Sequence, residues 1–287
     1  MASLRHHLIW TTLRLTRFRY RMGKDLAKNR AQRAEPVGLL KHRFTRENFD
    51  GHPVWRISPK GKERPAKTLY HLHGGGHVYG MLPLQFPIWA DLADRANAEV
   101  IAPCYPLPPE FTARDVNEFC QNHFERIVGE KGLENITLSG DSAGAQLALS
   151  LSLFRKDNDQ ALPKRLILWS PWVDLSMTNP DIQNQLGAAI LEPKSLIKAG
   201  RRFAGDLDIQ DPQVSPLFGD LTGLPETHIF TGGRDLLYPD IMKFVDKAQT
   251  QGVDIHLTKE ADMGHYWMFL PQPEAKKTVA QTAALIK

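Results

Sequence analysis

The sequence predicts an α/β protein built on a mostly parallel, eight-stranded sheet with helices on both faces. Three observations predict it. Short apolar runs bounded by glycine, proline and polar residues recur along the 287 residues. Helix-length patterns separate most of these runs, which argues for parallel strands joined by helical crossovers. A Gly-x-Ser-x-Gly pentapeptide, Gly140-Asp141-Ser142-Ala143-Gly144, lies between one such run and one such helix. The length suits one large domain without a split, and 42% hydrophobic residues is enough for an ordinary globular core.

Residues 1–36 read as a basic amphipathic helix ahead of a main domain spanning residues 37–287. Through residue 33 the arm holds nine Lys/Arg and one acid, a balance of +8 against +4 for the whole chain, so the remainder is about −4. Leu4, Leu8, Leu15, Phe18, Met22 and Leu26 recur at helical spacing, beside a basic stripe of Arg14, Arg17, Arg21, Lys24 and Lys28. Two readings stay open: weak contact of residues 1–35 with an anionic membrane surface, or packing over an active site. One basic helix without a recognisable module is not a nucleic-acid site, so no nucleic-acid partner is expected. The apolar run Leu8-Ile9-Trp10 is too short for a signal peptide, and no segment approaches the length of a membrane span.

Strands are expected near residues 37–42, 54–58, 68–72, 99–102, 135–138, 165–169, 227–231 and 254–258. Helices are expected over residues 116–129, 143–155, 240–251 and 273–286, among others. The first two or three strands have connections too short for helical crossovers and should form an antiparallel edge. Residues 177–210 do not fit the alternation and hold helical stretches at 182–191 and 193–203. Cys104 and Cys120 read as small buried hydrophobes rather than a disulfide, and with no export signal a cytoplasmic setting is the expectation.

The chemistry gathers in four loops that follow predicted strands, where active sites of open parallel sheets form. A serine at a sharp strand-to-helix turn is held clear of the sheet, with a helix N-terminus behind it. His73-Gly74-Gly75-Gly76 follows the run at 68–72, and consecutive glycines leave backbone N–H groups free to point at one spot, as an oxyanion requires. Asp235 follows the run at 227–231, and His265 follows that at 254–258. The order Ser, Asp, His is the one an α/β-hydrolase needs. Asp240 and Asp262 rival Asp235, but Asp240 should open a helix and Asp262 shares a loop with His265. No Cys/His set has zinc spacing and no Gly-x-x-x-x-Gly-Lys stretch occurs, so no metal and no cofactor is expected.

With these motifs quoted, and with Asp211-Pro212-Gln213-Val214-Ser215-Pro216-Leu217 between them, the chain resembles the hormone-sensitive-lipase-like branch of the α/β-hydrolases, the bacterial acetyl-esterase or carboxylesterase group. The resemblance runs from about residue 37 to the C-terminus. It implies an α/β-hydrolase fold with a helical cap, contributed by an insertion near 177–210 and by the N-terminal helix. It implies Ser142 as nucleophile, His265 as general base, Asp235 as orienting acid, and an oxyanion hole from the N–H groups of Gly75, Gly76 and Ala143. The substrate it implies is a short- to medium-chain acyl ester. Amidase, peptidase or acyltransferase chemistry could run on the same machinery, and a homodimer stays open. Two departures stand out: Tyr105-Pro106-Leu107-Pro108-Pro109-Glu110 lacks the family's arginine, and Ala145 replaces a common glycine. Pocket candidates are Val78, Tyr79, Phe86, Trp172, Leu191, Leu196, Phe203, Leu237 and Trp267, with Tyr79 and Trp267 preferred because they adjoin the active-site motifs.

Overall fold

A computed structural model describes residues 2–16, 35–61, 65–185 and 190–286. Its centre is one eight-stranded sheet in the order β1-β2-β4-β3-β5-β6-β7-β8. The strands are β1 (Phe44–Phe49), β2 (His52–Ile57), β3 (Lys67–Leu72), β4 (Ala98–Pro103), β5 (Ile136–Asp141), β6 (Arg165–Trp169), β7 (Glu226–Gly232) and β8 (Ile255–Glu260). β1 pairs antiparallel with β2 and β2 antiparallel with β4, and the other pairs are parallel. The antiparallel edge expected from the short connections is therefore present.

Seven α-helices stand among the described residues: α1 (Leu4–Leu15), α2 (Gln85–Ala96), α3 (Ala113–Lys131), α4 (Ala143–Asp157), α5 (Pro193–Ala204), α6 (Tyr238–Thr250) and α7 (Pro273–Ile286). Both faces of the sheet are covered, which explains why its central strands read as continuous apolar runs. Successive side chains of a strand point to opposite faces. Along β6, Leu166 and Leu168 enter the core beneath α3, α4 and α6, while Ile167 and Trp169 enter the core beneath α2 and α7. Truncating any of these fully buried aliphatic side chains to alanine is expected to cost about 2–5 kcal/mol. Among the described residues no helix is long and apolar enough to cross a membrane.

Three expectations need correction. Residues 37–42 are not a strand: Gly38–Arg43 forms a 3-10 helix, and the edge strand is Phe44–Phe49. The run Val37-Gly38-Leu39-Leu40 imitates a buried strand, whereas β1 is polar because only one of its residues, Phe44, is buried. The expected helix at 182–191 is a 3-10 helix, Pro180–Gln185, ahead of residues outside the description. In α1 the leucine stripe faces outward. Leu4, Leu8 and Leu15 are 75%, 61% and 79% exposed, and the buried residues are His6 and Trp10. Phe18, Met22 and Leu26, the rest of that stripe, lie outside the described residues.

Candidate active site

Ser142 sits between the last residue of β5 and the first of α4, at φ 53° and ψ −117°. A non-glycine residue at positive φ is strained, and here the surroundings enforce it. Its N–H donates to the Trp169 carbonyl (2.8 Å), and its own carbonyl accepts from the Trp172 N–H (3.2 Å). The flanking glycines are required by contact. A Cβ on Gly144 would strike the Leu72 carbonyl, and one on Gly140 the Gly144 carbonyl. The turn thus carries the hydroxyl to the carboxyl end of the sheet, as the sequence indicated.

Asp235 follows β7 and His265 follows β8, neighbouring strands whose ends converge on that turn. His265 Nδ1 lies 2.8 Å from Asp235 Oδ2, and His265 Nε2 lies 3.0 Å from Ser142 Oγ. With the proton on Nδ1, the imidazole donates to the carboxylate and leaves Nε2 to accept from the hydroxyl. Asp235 Oδ1 accepts the Leu237 N–H at 3.0 Å, so both carboxylate oxygens are engaged. Ser142, Asp235 and His265 are all buried. The rival acids are elsewhere. Asp240 is buried on the first turn of α6, where it accepts from the Asn179 amide (2.8 Å). Asp262 pairs with Arg234 (3.0 Å) and accepts the Ala2 N–H (3.3 Å).

Gly75 and Gly76 adopt φ of 145° and 61°, a region glycine reaches without a Cβ penalty. A Cβ on Gly75 would collide with the Tyr79 carbonyl. Ala143 is the first residue of α4, so its N–H has no acceptor within the helix. Gly75, Gly76, Ser142 and His265 line one cavity. The glycine loop is braced from behind. The Tyr105 hydroxyl donates to the His73 carbonyl (2.6 Å), its ring stacks on His73 at 4.2 Å, and His73 Nδ1 donates to the Gly74 carbonyl (2.8 Å). Tyr105 belongs to the stretch that departs from the family pattern, yet it supports the loop. Burial lowers the pKa of His73 to about 4 and that of His77 to about 3, so both stay neutral.

Beneath the loop, His71 bridges Asp141 and Ser139, at 3.0 Å to each. The Tyr266 hydroxyl is buried as well. Burial first, and the Asp141 charge second, push its pKa well above the ordinary phenol range. Tyr266 follows His265 directly and lines the cavity. A Cβ on Gly74 would meet both Asp141 and the Tyr266 hydroxyl. Sequence reasoning missed His71 and Tyr266, because nothing in their spacing marks a buried polar group.

The cavity has a volume of ≈170 Å³ and a wall that is almost wholly apolar. Val78, Tyr79, Leu191 and Leu196 are in that wall, as expected, and Leu13 of α1 joins them unforeseen. Trp267 does not line it: its ring is fully buried in the core, and its Nε1–H donates to Thr278 Oγ1 (3.3 Å). Tyr266, in the left-handed conformation at φ 69°, turns the chain so that the next side chain points inward. Phe86, Trp172, Phe203 and Leu237 are likewise core residues. Among the described residues one group could hold a metal ion, Glu226, His228 and His256. It lies at the starts of β7 and β8, the opposite end of the sheet from Ser142.

Comparisons with known proteins agree with this fold. A family model described as the alpha/beta hydrolase fold matches residues 69–269. An esterase of Acinetobacter venetianus is 35% identical over 82% of this chain and 83% of its own length. An acetyl-hydrolase of Streptomyces hygroscopicus is 30% identical, covering 78% of each. A solved esterase of the bacterial hormone-sensitive lipase family superposes with a TM-score of 0.86 over 100% of this chain and 98% of that one, at 24% identity, a likeness of fold.

Proposed function

The chain belongs to the α/β-hydrolase fold family, and on that footing we propose that it is a serine carboxylesterase acting on short- to medium-chain acyl esters. The observation that carries the proposal is the unbroken run Asp235–His265–Ser142, at 2.8 and 3.0 Å, opening on a cavity. His265 Nε2 takes the Ser142 proton as Oγ adds to the ester carbonyl. The oxyanion so formed faces the N–H groups of Gly75, Gly76 and Ala143, donors fixed before the reaction begins. The tetrahedral adduct collapses, the alcohol leaves with the proton from His265, and the acyl group stays on Ser142. Water, deprotonated by the same imidazole, then releases the acid. Asp235 holds the tautomer and stabilises the imidazolium.

The cap reading of α1 and of residues 177–210 is supported by the wall they share: Leu13 comes from one, Leu191, Leu196 and Ala199 from the other. The cavity's modest volume and apolar wall support short to medium acyl chains. A cytoplasmic setting is supported by the low cysteine content of the sequence, Cys104 and Cys120 alone.

Hydrolysis of p-nitrophenyl esters from acetate to palmitate, with Ser142→Ala in parallel, tests the reading. Activity greatest on the shorter esters and absent from the variant is expected. A folded protein inactive on every ester, or a variant as active as the native chain, would overturn it.

A further inference from the structure

α1 is amphipathic in an unusual sense, because it is fixed to the body by one side and apolar on the other. The fixed side is well anchored. Trp10 lies on Gly264, where a Cβ would meet the indole ring. His6 Nδ1 bonds Gln272 Oε1 at 3.3 Å, and Ser3 bonds Glu274 through both its N–H (2.6 Å) and its hydroxyl (2.9 Å). Leu13, on the same side, faces the acyl cavity. At 3.6 residues per turn, Leu4, Leu8 and Leu15 fall within about 40° of one another and roughly opposite the His6–Trp10–Leu13 side. All three are more than half exposed. Exposed Arg5 and Arg14 flank the stripe, and α1 contains no acid.

We propose that this outer face of α1 docks on an anionic lipid surface, with Leu4, Leu8 and Leu15 entering the headgroup boundary and the flanking arginines meeting lipid phosphates. Two observations favour lipid over a protein partner. The stripe is a single line of leucines with cationic borders, the pattern of a helix lying in a membrane interface. The positive charge of the sequence is also concentrated in the segment that contains α1, where residues 1–33 carry +8 and the remainder about −4, a balance complementary to a negative surface. The helix is one layer thick, so the acyl cavity behind Leu13 would lie only about 10 Å from the lipid. Docking does not depend on the ester-hydrolase reading. Only its use, drawing esters from the lipid surface into the cavity, rests on that reading.

Co-sedimentation of the full chain with vesicles of phosphatidylcholine, with and without phosphatidylglycerol, tests the proposal. Three proteins are compared: the native chain, the combined variant Leu4→Ser, Leu8→Ser, Leu15→Ser, and Ser142→Ala. The native chain should bind the anionic vesicles, release them as salt is raised, and bind pure phosphatidylcholine weakly. The triple variant should lose about tenfold or more in vesicle affinity while hydrolysing soluble p-nitrophenyl acetate at the native rate, which also reports that it folds. Ser142→Ala should bind vesicles as the native chain does, separating docking from catalysis. Equal vesicle binding by the triple variant and the native chain would overturn the proposal. So would binding indifferent to phosphatidylglycerol, or a native dimer in sedimentation velocity that the triple variant dissolves and that ignores vesicles, which would make the stripe a self-association face.

Discussion

The carboxyl rim of the sheet and the wall of the cavity beside it are built on different principles. At the rim, each functional atom is placed by backbone. Ser142 is held at φ 53° by hydrogen bonds to the last residue of β6 and to the loop after it, Gly140 and Gly144 are demanded by carbonyls that a Cβ would strike, and Asp235 and His265 leave adjacent strand ends. In the wall, placement is by side-chain volume, on α1, on α5 and at Leu191 just ahead of α5. Leu13, Leu191, Leu196 and Ala199 have apolar side chains that make no hydrogen bond to Ser142, Asp235 or His265 and could be exchanged for other apolar residues. On the reading proposed above, the contrast teaches that the reaction is rigidly specified by backbone, while the choice of substrate is a matter of fill.

The sharpest break in that contrast is at the rim. Ser142→Ala is expected to lower kcat by roughly 10⁴- to 10⁶-fold, measured on p-nitrophenyl butyrate, with circular dichroism unchanged. Asp235→Asn should lower kcat by about 10⁴-fold, because an amide partner favours the wrong imidazole tautomer. A loss below tenfold would move the orienting role away from Asp235. In the wall, by contrast, Leu196→Ala should leave kcat on acetate within about threefold and raise kcat/KM for longer esters by about tenfold, as a few methylenes of room are worth in an apolar pocket. The Leu196 side chain is the nearest neighbour of the space above Gly76, at 4.0 Å. A uniform loss on all esters would show that the wall takes part in the chemistry.

The smallest effect concerns Asp240, the rival acid that does not contact His265. Burial, its leading cause, raises its pKa from 3.8 to about 6, against the hydrogen bond from Asn179. Between those values the folded protein keeps a proton that the unfolded chain has released. Stability therefore falls as pH rises through this window and levels off above it. Asp240→Asn should remove that slope and stabilise the protein at pH 7–8 by on the order of 1–3 kcal/mol, read from denaturant midpoints. An unchanged slope would place the titration elsewhere.

The same contrast explains what the sequence disclosed. Backbone-placed chemistry leaves a written trace: glycines where no Cβ fits, and Ser142, Asp235 and His265 each just beyond a strand. Those positions, and seven of the eight strands, were legible. Side-chain placement leaves no such trace. Trp267 adjoins His265 in sequence but is turned into the core by the left-handed Tyr266. The buried side of α1 is His6 and Trp10 rather than its leucines, because its anchorage depends on Gly264 and Gln272, more than 250 residues away. The edge strand Phe44–Phe49 escaped because it buries one side chain and so lacks an apolar run.

The central claim is that Ser142 carries the acyl group. Treating the protein with paraoxon and mapping the adduct by mass spectrometry tests it most directly. The expected result is one diethylphosphoryl group per chain on Ser142, formed in step with the loss of esterase activity and absent from Ser142→Ala. An adduct on another residue that tracks inactivation, or full activity retained by a chain labelled at Ser142, would contradict it.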